Sequence, residues 1–420
     1  VYSLYGHMME TETVKFPMRL SCVELGQVLG VVGNVRPAPH LHLEIKLAGP
    51  DTPGPGYSWA NVYDEGWRHP SRFIVNRQAW THPAHRWHLT LNDPVGLPSA
   101  PLPVADFSLM YLDGRTLRLA TYDGRVLWRV VLNAPALAVI ESRGQPTVVY
   151  ADGLMQTVDG DGAPLDSWRL PLNASLNSDE TLLSVHTTAP DSAFVRTSQG
   201  ALLAVDMAER ALRWRMEDVP SFGQIQVTPT LVALLTHDQR LLVLNQADGA
   251  LLSSAQLRDS GSLALLPDGA LALYGVGGLW RIDPANAGGE WALLNESARA
   301  QTGGVNALTV LPDNRIFAFD GATLRAYASD SGVEMWALPL AVSGQPQISV
   351  IDTDTVLLTS THGQIIAVSH GGQLCGAAQV YGDDRATLWA ALGSDNVLRV
   401  AVGNQVLGLD WAAFSLPCGT

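Results

Sequence analysis

The strongest constraint on this fold is a unit that recurs eight times between residue 105 and the end of the chain. Each copy has an alternating apolar strand, a turn with Asp or Asn and Gly, and a second strand that often carries Trp. Alternation with a period of two is typical of half-buried β-strands. The apolar strands begin at Leu117, Leu154, Leu202, Leu241, Leu279, Leu324, Ile365 and Val406.

These starts are separated by 37 to 48 residues, mostly near 40. That period fits one four-stranded blade of a β-propeller. Another strand with its own turn, such as the one ending in Leu112-Asp113-Gly114, precedes each unit. The sequence therefore predicts an all-β chain with a propeller of eight blades, or of seven if a terminal copy only closes the ring.

The repeats resemble the pyrroloquinoline-quinone-like propeller family, whose blades share an Ala-x-Asp-x-x-x-Gly-x-x-x-Trp signature. The clearest copy runs from Asp330 to Trp336, and Asp123 to Trp128 is a shortened one. The resemblance implies that the tryptophans dock neighbouring blades. Family members that are quinoprotein oxidoreductases also use adjacent cysteines and calcium-binding carboxylates. Here no two cysteines are adjacent, so we expect a binding scaffold for a protein or glycan ligand.

A second signal lies in the run from Pro39 to Ile45, where His40 and His42 are separated by one residue. In a β-strand, side chains at i and i+2 lie on the same face, about 7 Å apart along the strand. We therefore expect both imidazoles to project together. Two such groups suit a metal ligand beside a general base, although they also suit the wet face of a half-buried strand.

Two further motifs precede this pair: Tyr5-Gly6-His7, and the glycine-rich run from Gly26 to Asn34. In this order the motifs resemble the C-terminal half of lysostaphin/LytM-type zinc endopeptidases, which cut peptides of peptidoglycan. The resemblance covers residues 1 to about 47. It implies that His42 is a zinc ligand, that His40 activates the metal-bound water, and that His7 stabilises the tetrahedral intermediate. Zinc would lower the pKa of that water towards about 7.

The family also takes a His and an Asp ligand from a His-x-x-x-Asp motif that precedes the Tyr-Gly-His strand. Six residues precede His7 here, and none is His or Asp. A catalytic zinc needs three protein ligands and an open position. We therefore expect a fragment of a zinc endopeptidase, with weak or absent Zn²⁺ binding in these residues. The competing hypothesis is a degenerate family member that serves as a binding module.

A proline-rich stretch separates the two regions. Residues 94–103 hold four prolines, which disfavour regular strand pairing and indicate a semi-rigid linker. We predict a truncated peptidase domain over residues 1–90, a linker over 91–104 and the propeller over 105–420. Three histidines before the linker, His82, His85 and His88, could form a second metal site, although a solvated segment is the simpler interpretation.

Charge and cysteine content limit the possible partners. The net charge is −14 and the chain has two lysines, which argues against nucleic-acid binding. No apolar run reaches about 18 residues, so no membrane span is predicted. Cys375 and Cys418 lie one repeat apart and could pair across neighbouring blades, or both could be free buried thiols.

The sequence thus indicates an extracellular or cell-envelope protein. The predicted parent is a zinc metalloendopeptidase that hydrolyses peptide bonds of peptidoglycan and carries a propeller that binds a protein or glycan. A non-catalytic binding or scaffolding module is the alternative, and a quinoprotein oxidoreductase is a third possibility.

Overall fold

The computed structural model describes residues 2–19, 21–24, 26–47, 67–93, 95–104, 108–172, 180–189, 192–257, 261–283, 291–299 and 306–416. The chain divides into two compact units, Val1–Ala79 and Trp80–Thr420. No helix among the described residues has the length and apolar character needed to span a membrane.

The first unit is built on a small antiparallel sheet. Its strands are β1 (Tyr2–Gly6), β2 (Met8–Met9), β3 (Val31–Val32), β4 (His42–Lys46) and β5 (Trp67–Arg68), and the helix α1 (Pro70–Trp80) follows. Three strands form one sheet in the order β1-β4-β5, and β2 pairs with β3. Lys46 and Trp67 are both buried, and the Lys46 ammonium lies 4.8 Å from the centre of the indole ring.

Eight four-stranded antiparallel sheets, which we number as blades 1 to 8, form the second unit within the described residues. The eighth blade includes a strand from the start of the unit, β6 (His85–Thr90). Blades 1 to 4 contain β7 (Leu102–Val104), β8 (Ser108–Asp113), β9 (Thr116–Thr121), β10 (Val126–Val131); β11 (Ala136–Ser142), β12 (Gln145–Tyr150), β13 (Leu154–Val158), β14 (Pro164–Arg169); β15 (Leu182–Ala189), β16 (Ser192–Thr197), β17 (Leu202–Asp206), β18 (Ala211–Met216); β19 (Phe222–Val227), β20 (Leu231–Thr236), β21 (Arg240–Asn245) and β22 (Leu251–Gln256).

The remaining blades continue the same meander. Blades 5 to 8 contain β23 (Gly261–Leu265), β24 (Leu271–Gly275), β25 (Gly278–Ile282), β26 (Ala292–Asn295); β27 (Ala307–Val310), β28 (Arg315–Phe319), β29 (Thr323–Ala328), β30 (Glu334–Pro339); β31 (Pro346–Val350), β32 (Thr355–Ser360), β33 (Gln364–Ser369), β34 (Leu374–Gln379); β35 (Leu388–Leu392), β36 (Val397–Val402) and β37 (Gln405–Asp410), with β6 as the fourth strand of blade 8. The short helix α2 (Trp411–Phe414) follows β37.

The predicted fold class and the count of eight blades are confirmed. Each predicted repeat start falls at or within two residues of the start of the third strand of a blade, from Leu117 in β9 to Val406 in β37. The second strands are almost wholly buried, as in β8 and β32, because both faces pack against neighbouring blades. The fourth strands alternate between exposed and half-buried residues, as in β22 and β30, which leaves one face of each in water.

The predicted tryptophan docking between blades is also present. The Trp128 indole N–H donates to the Gly160 carbonyl oxygen of the next blade across 2.7 Å. The corresponding bonds run from Trp214 to Gln246 over 2.9 Å and from Trp336 to His370 over 2.8 Å. Each indole therefore joins the fourth strand of one blade to the last turn of the next.

The structure differs from the predicted domain boundary at residue 90. Strand β6 pairs along its length with β37, so that residues 85–90 complete blade 8. Its Trp87 side chain lies against Gly124 of blade 1, where an added Cβ would come within 2.5 Å of the indole. An N-terminal strand thus closes the ring, and the contacts place the division between the units at Ala79–Trp80.

The segment predicted as an exposed linker is packed into the propeller. Leu91 and Leu97 are each 3% exposed, and together they contribute to a core cluster with Tyr111 of blade 1. One carboxylate oxygen of the buried Asp113 accepts the backbone N–H groups of Asn92 and Asp93 at 2.7 and 2.9 Å. These two bonds tie the start of the segment to strand β8 of blade 1.

The cysteine alternatives are resolved in part. Cys375 on β34 is disulfide-bonded, and Cys22 is a free and exposed thiol. Cys418 lies outside the described residues.

Candidate functional site

The three histidines singled out in the first unit lie close together. The ring centre of His7 is 4.7 Å from that of His40 and 6.0 Å from that of His42. The His7 and His42 rings are nearly parallel, at 25° to one another. We call these three residues the histidine cluster. Motifs more than 30 residues apart in the sequence thus converge on one small surface.

Backbone contacts hold His7 in place. Strand β1 ends at Gly6, which pairs with His42, and His7 then adopts a positive φ of 60°. The His7 carbonyl oxygen accepts the N–H of Gly33 across 2.7 Å. A Cβ at Gly33 would lie 2.8 Å from this oxygen, so only glycine permits the approach. The glycine-rich run therefore serves to position the histidine.

Glu44 contacts His42 through its carboxylate. The His42 Nε2 lies 3.2 Å from Glu44 Oε1, and the Glu44 side chain is largely buried whereas the His42 ring is half exposed. These two side chains share a face of β4, as the two-residue spacing requires. The Glu44 carboxylate therefore contacts Nε2, the ring nitrogen of His42 that lies farther from the backbone.

His40 does not lie on a strand, which differs from the prediction. Strand β4 begins at His42 because its partner β1 ends at Gly6, and no ladder continues towards Pro39. The His40 Nδ1 is 2.8 Å from the carbonyl oxygen of Ala38, which fixes the ring locally. Leu41 is 45% exposed, while Ile45 is buried.

The resemblance implies a single zinc ligand, His42, within the histidine cluster. Among the residues that the structure describes, no group of three or more His, Cys, Asp or Glu side chains has an arrangement that could hold a metal ion. His42, the expected ligand, directs Nε2 at Glu44. The roles predicted for His7, His40 and His42 and the expected Zn²⁺ stay predictions. The sequence offers Tyr57, Trp59 and Tyr63 either as the lining of a substrate groove or as packing under a loop. These aromatic residues lie outside the described residues.

A second group of histidines surrounds the start of β6. A bulge at Arg86 in the β37–β6 pairing brings His85 and His88 to one face, with His88 Nδ1 and His85 Nε2 3.2 Å apart. Trp80 stacks on His88 with ring centres 4.0 Å apart, and His82 contacts Phe414. Burial lowers the pKa of His82 and of His85. This packing agrees with a structural role for the group.

Comparison with known families concerns the repeats. The family model described as outer membrane protein assembly factor BamB matches residues 166–372 and 237–408, which together span more than half of the chain. The chain belongs to this family. The BamB match begins at residue 166, so it lends no support to the peptidase resemblance of residues 1–47. A search of curated protein sequences finds no match.

Solved structures share the fold at low sequence identity. BamB from Moraxella catarrhalis is 15% identical, with a TM-score of 0.53 over 77% of this chain and 98% of that one. Sqt1 from Saccharomyces cerevisiae is 12% identical, with a TM-score of 0.60 over 78% and 99%. Quinohemoprotein alcohol dehydrogenase ADHIIG from Pseudomonas putida HK5 is 12% identical, with a TM-score of 0.54 over 78% and 76%. At such low identity, these structural likenesses establish only the propeller fold of this BamB-family chain.

Two contributions to the histidine cluster were not predicted. No role for Glu44 follows from the motifs, although its position two residues after His42 places both on one strand face. The close approach of Gly33 to the His7 carbonyl emerges only from the pairing of β2 with β3.

Proposed function

We propose that this chain is a non-catalytic binding protein of the cell envelope, in which a BamB-family propeller binds a protein or glycan partner and the first unit contacts peptidoglycan peptide. The observation that carries this proposal is the ring of eight blades closed by β6. A closed ring has a rigid core and presents turns from every blade, which suits recognition.

The envelope context rests on the family, because its description refers to outer membrane protein assembly. Peptidoglycan as a ligand rests on the resemblance of residues 1–47 to enzymes that act on that polymer. The surface next to the histidine cluster has suitable chemistry. Tyr5 is 41% exposed beside Gly6 and His7, so an aromatic ring and imidazoles are available to peptide groups.

A zinc endopeptidase is the second candidate. The convergence of His7, His40 and His42 favours it, because a hydrolase of this class needs its catalytic imidazoles within one substrate-sized space. It ranks second because the described residues supply no set of three metal ligands. Binding without hydrolysis and hydrolysis that requires zinc are experimentally distinct outcomes.

Co-sedimentation with purified peptidoglycan sacculi tests the binding proposal. The full chain should pellet with sacculi in the presence of EDTA, and Tyr5→Ala and His7→Ala should each reduce the pelleted fraction. His237→Ala, at an exposed turn of blade 4, is the matched control and should leave the fraction unchanged. A chain that stays in the supernatant, or variants that pellet like the parent, would remove peptidoglycan from the proposal.

A further inference from the structure

The first turns of three successive blades line an open pocket on the propeller. The pocket has a volume of about 330 Å³. Its walls include Pro229 of blade 4, Leu265 and Pro267 of blade 5, and Val310 and Pro312 of blade 6. We call it the three-turn pocket. Small-molecule and side-chain sites begin at about this size.

The three-turn pocket is apolar because of the residues its turns use. Each of the three turns contains a proline with an exposed side chain, and Leu266 and Leu311, which also contact the pocket, are buried. Proline has no N–H group and a fixed φ, so the walls offer few donors and a stiff backbone. Such a surface binds apolar side chains with little loss of conformational entropy.

Three carboxylates lie on the first turn of blade 6 and on the first turn of the neighbouring blade 7. Asp313 follows Pro312, and the first turn of blade 7 carries Asp352 and Asp354. All three lie within electrostatic range of His370, whose pKa is lowered first by burial and then by Arg315, against the opposing effect of these carboxylates. Asp313 is ion-paired with Arg315.

Asp352 and Asp354 are not neutralised in this way. Asp352 accepts the indole N–H of Trp411 at 2.8 Å, and Asp354 accepts the hydroxyl of Thr353 at 3.1 Å. In the described part of the chain no Lys or Arg forms an ion pair with either carboxylate. The first turn of blade 7 therefore keeps its negative charge, consistent with the net charge of −14.

We infer that the three-turn pocket binds a bulky apolar side chain of a basic peptide segment in a partner protein. The apolar walls would hold the anchor, and Asp352 and Asp354 would attract the lysines or arginines beside it. An acidic segment would be repelled by Asp352 and Asp354. An uncharged apolar ligand would gain nothing from these two carboxylates. This inference rests on the proposed binding role of the propeller.

Fluorescence anisotropy with synthetic peptides tests the inference on the full chain. The probes are fluorescein-labelled Lys-Lys-Gly-X-Gly-Lys-Lys peptides in which X is Phe, Trp, Leu or Met. One matched set has Ser at X, and another has Glu in place of every Lys. We expect at least one apolar basic peptide to bind, with affinity about tenfold weaker for its Ser and Glu counterparts.

Two variants assign the binding to the three-turn pocket. Pro229→Trp should fill the pocket and weaken binding about tenfold, because Pro229 is an exposed wall residue. Asp354→Asn should weaken binding about threefold and reduce its salt dependence. Pro135→Trp, between blades 1 and 2, and Asp161→Asn, in an exposed turn of blade 2, are the matched controls and should stay within about twofold of the parent.

Several results would overturn the inference. They are the absence of binding by every apolar basic peptide, equal binding of the Ser or Glu peptides, and unchanged binding by Pro229→Trp with an unaltered melting temperature. The sacculus experiment does not involve this pocket. If the chain bound sacculi but none of the peptides, the pocket inference would be rejected and the proposed peptidoglycan binding would stand.

Discussion

The indole N–H of Trp336 donates to the carbonyl oxygen of His370 in the next blade, 2.8 Å away. The same ring lies against Gly372, where a Cβ would come within 2.6 Å of the indole, and contacts Phe317 edge-on at 5.2 Å. One side chain thus joins two blades by a hydrogen bond and by packing. The bond and the packing make separable contributions to stability.

Trp336→Phe should lower the free energy of unfolding by about 1–2 kcal/mol, because it removes the hydrogen bond and leaves the His370 carbonyl without this donor. Trp336→Ala should cost about 3–5 kcal/mol through the cavity it creates. Urea unfolding followed by tryptophan fluorescence and circular dichroism measures both. Trp87→Phe is the control, since the Trp87 indole N–H has no hydrogen-bond partner among the residues that the structure describes. An equal effect of the two Phe variants would show that the bond contributes nothing.

Arg399 joins blade 8 to blade 1 and should be important for ring closure. Its guanidinium is 3% exposed, donates to Asp395 and to the Tyr122 carbonyl oxygen, and lies 4.2 Å from the Tyr122 ring. Arg399→Ala should destabilise the chain by about 3–5 kcal/mol, because it removes a buried side chain together with its bonds to both blades and leaves a cavity. Arg169→Ala removes an exposed pair with Asp152 and should cost about 0–1 kcal/mol. Similar losses in the two variants would contradict this account.

Acid should destabilise the propeller through its buried histidines. Burial lowers the pKa of His186 and of His370 in the folded chain. The unfolded chain, with an ordinary histidine pKa near 6.5, then binds more protons as the pH falls. Stability should therefore be highest above this pKa and decrease as the pH falls from about 7 to 5. His186→Asn should reduce the slope of melting temperature against pH, and an unchanged slope would exclude His186 as a cause.

Strand β6 should be essential for a stable ring. A chain that begins at Trp80 should melt close to the full chain, whereas one that begins at Asn92 lacks β6 and leaves an open edge on β37. The loss of the packing of Trp87 and Leu89 should cost more than about 5 kcal/mol. Differential scanning calorimetry of the two chains measures this. Equal melting temperatures would mean that the ring does not need its N-terminal strand.

The sequence predicts the repeated parts of this fold well, because each blade is a local meander. Leu117 and Ile365 mark third strands whose pairing partners lie within a few tens of residues. The sequence does not predict β6 in blade 8, because Leu89 pairs with Val406, more than 300 residues away, and no repeat signature marks it. The linker prediction misses the packing of this segment for a similar reason, since Leu91 and Leu97 pack in a cluster with Ala401 and Val406, which are about 300 residues away in the sequence.

The histidine cluster was predictable as a set, because the order and spacing of the Tyr-Gly-His and His-x-His motifs point to one face. Its local geometry was not. Whether His40 lies on a strand depends on where β1 ends, and the contact of Glu44 with His42 depends on side-chain rotamers that the sequence does not specify.

The central claim is that this chain binds peptidoglycan without cutting it. The most direct test incubates purified sacculi with the full chain and excess ZnCl₂, and analyses the released muropeptides by liquid chromatography and mass spectrometry. The account predicts that the chain pellets with the sacculi and that the soluble muropeptides match those of a protein-free control. Newly cleaved peptide cross-links that disappear with EDTA and in His40→Ala would contradict it and would establish the endopeptidase.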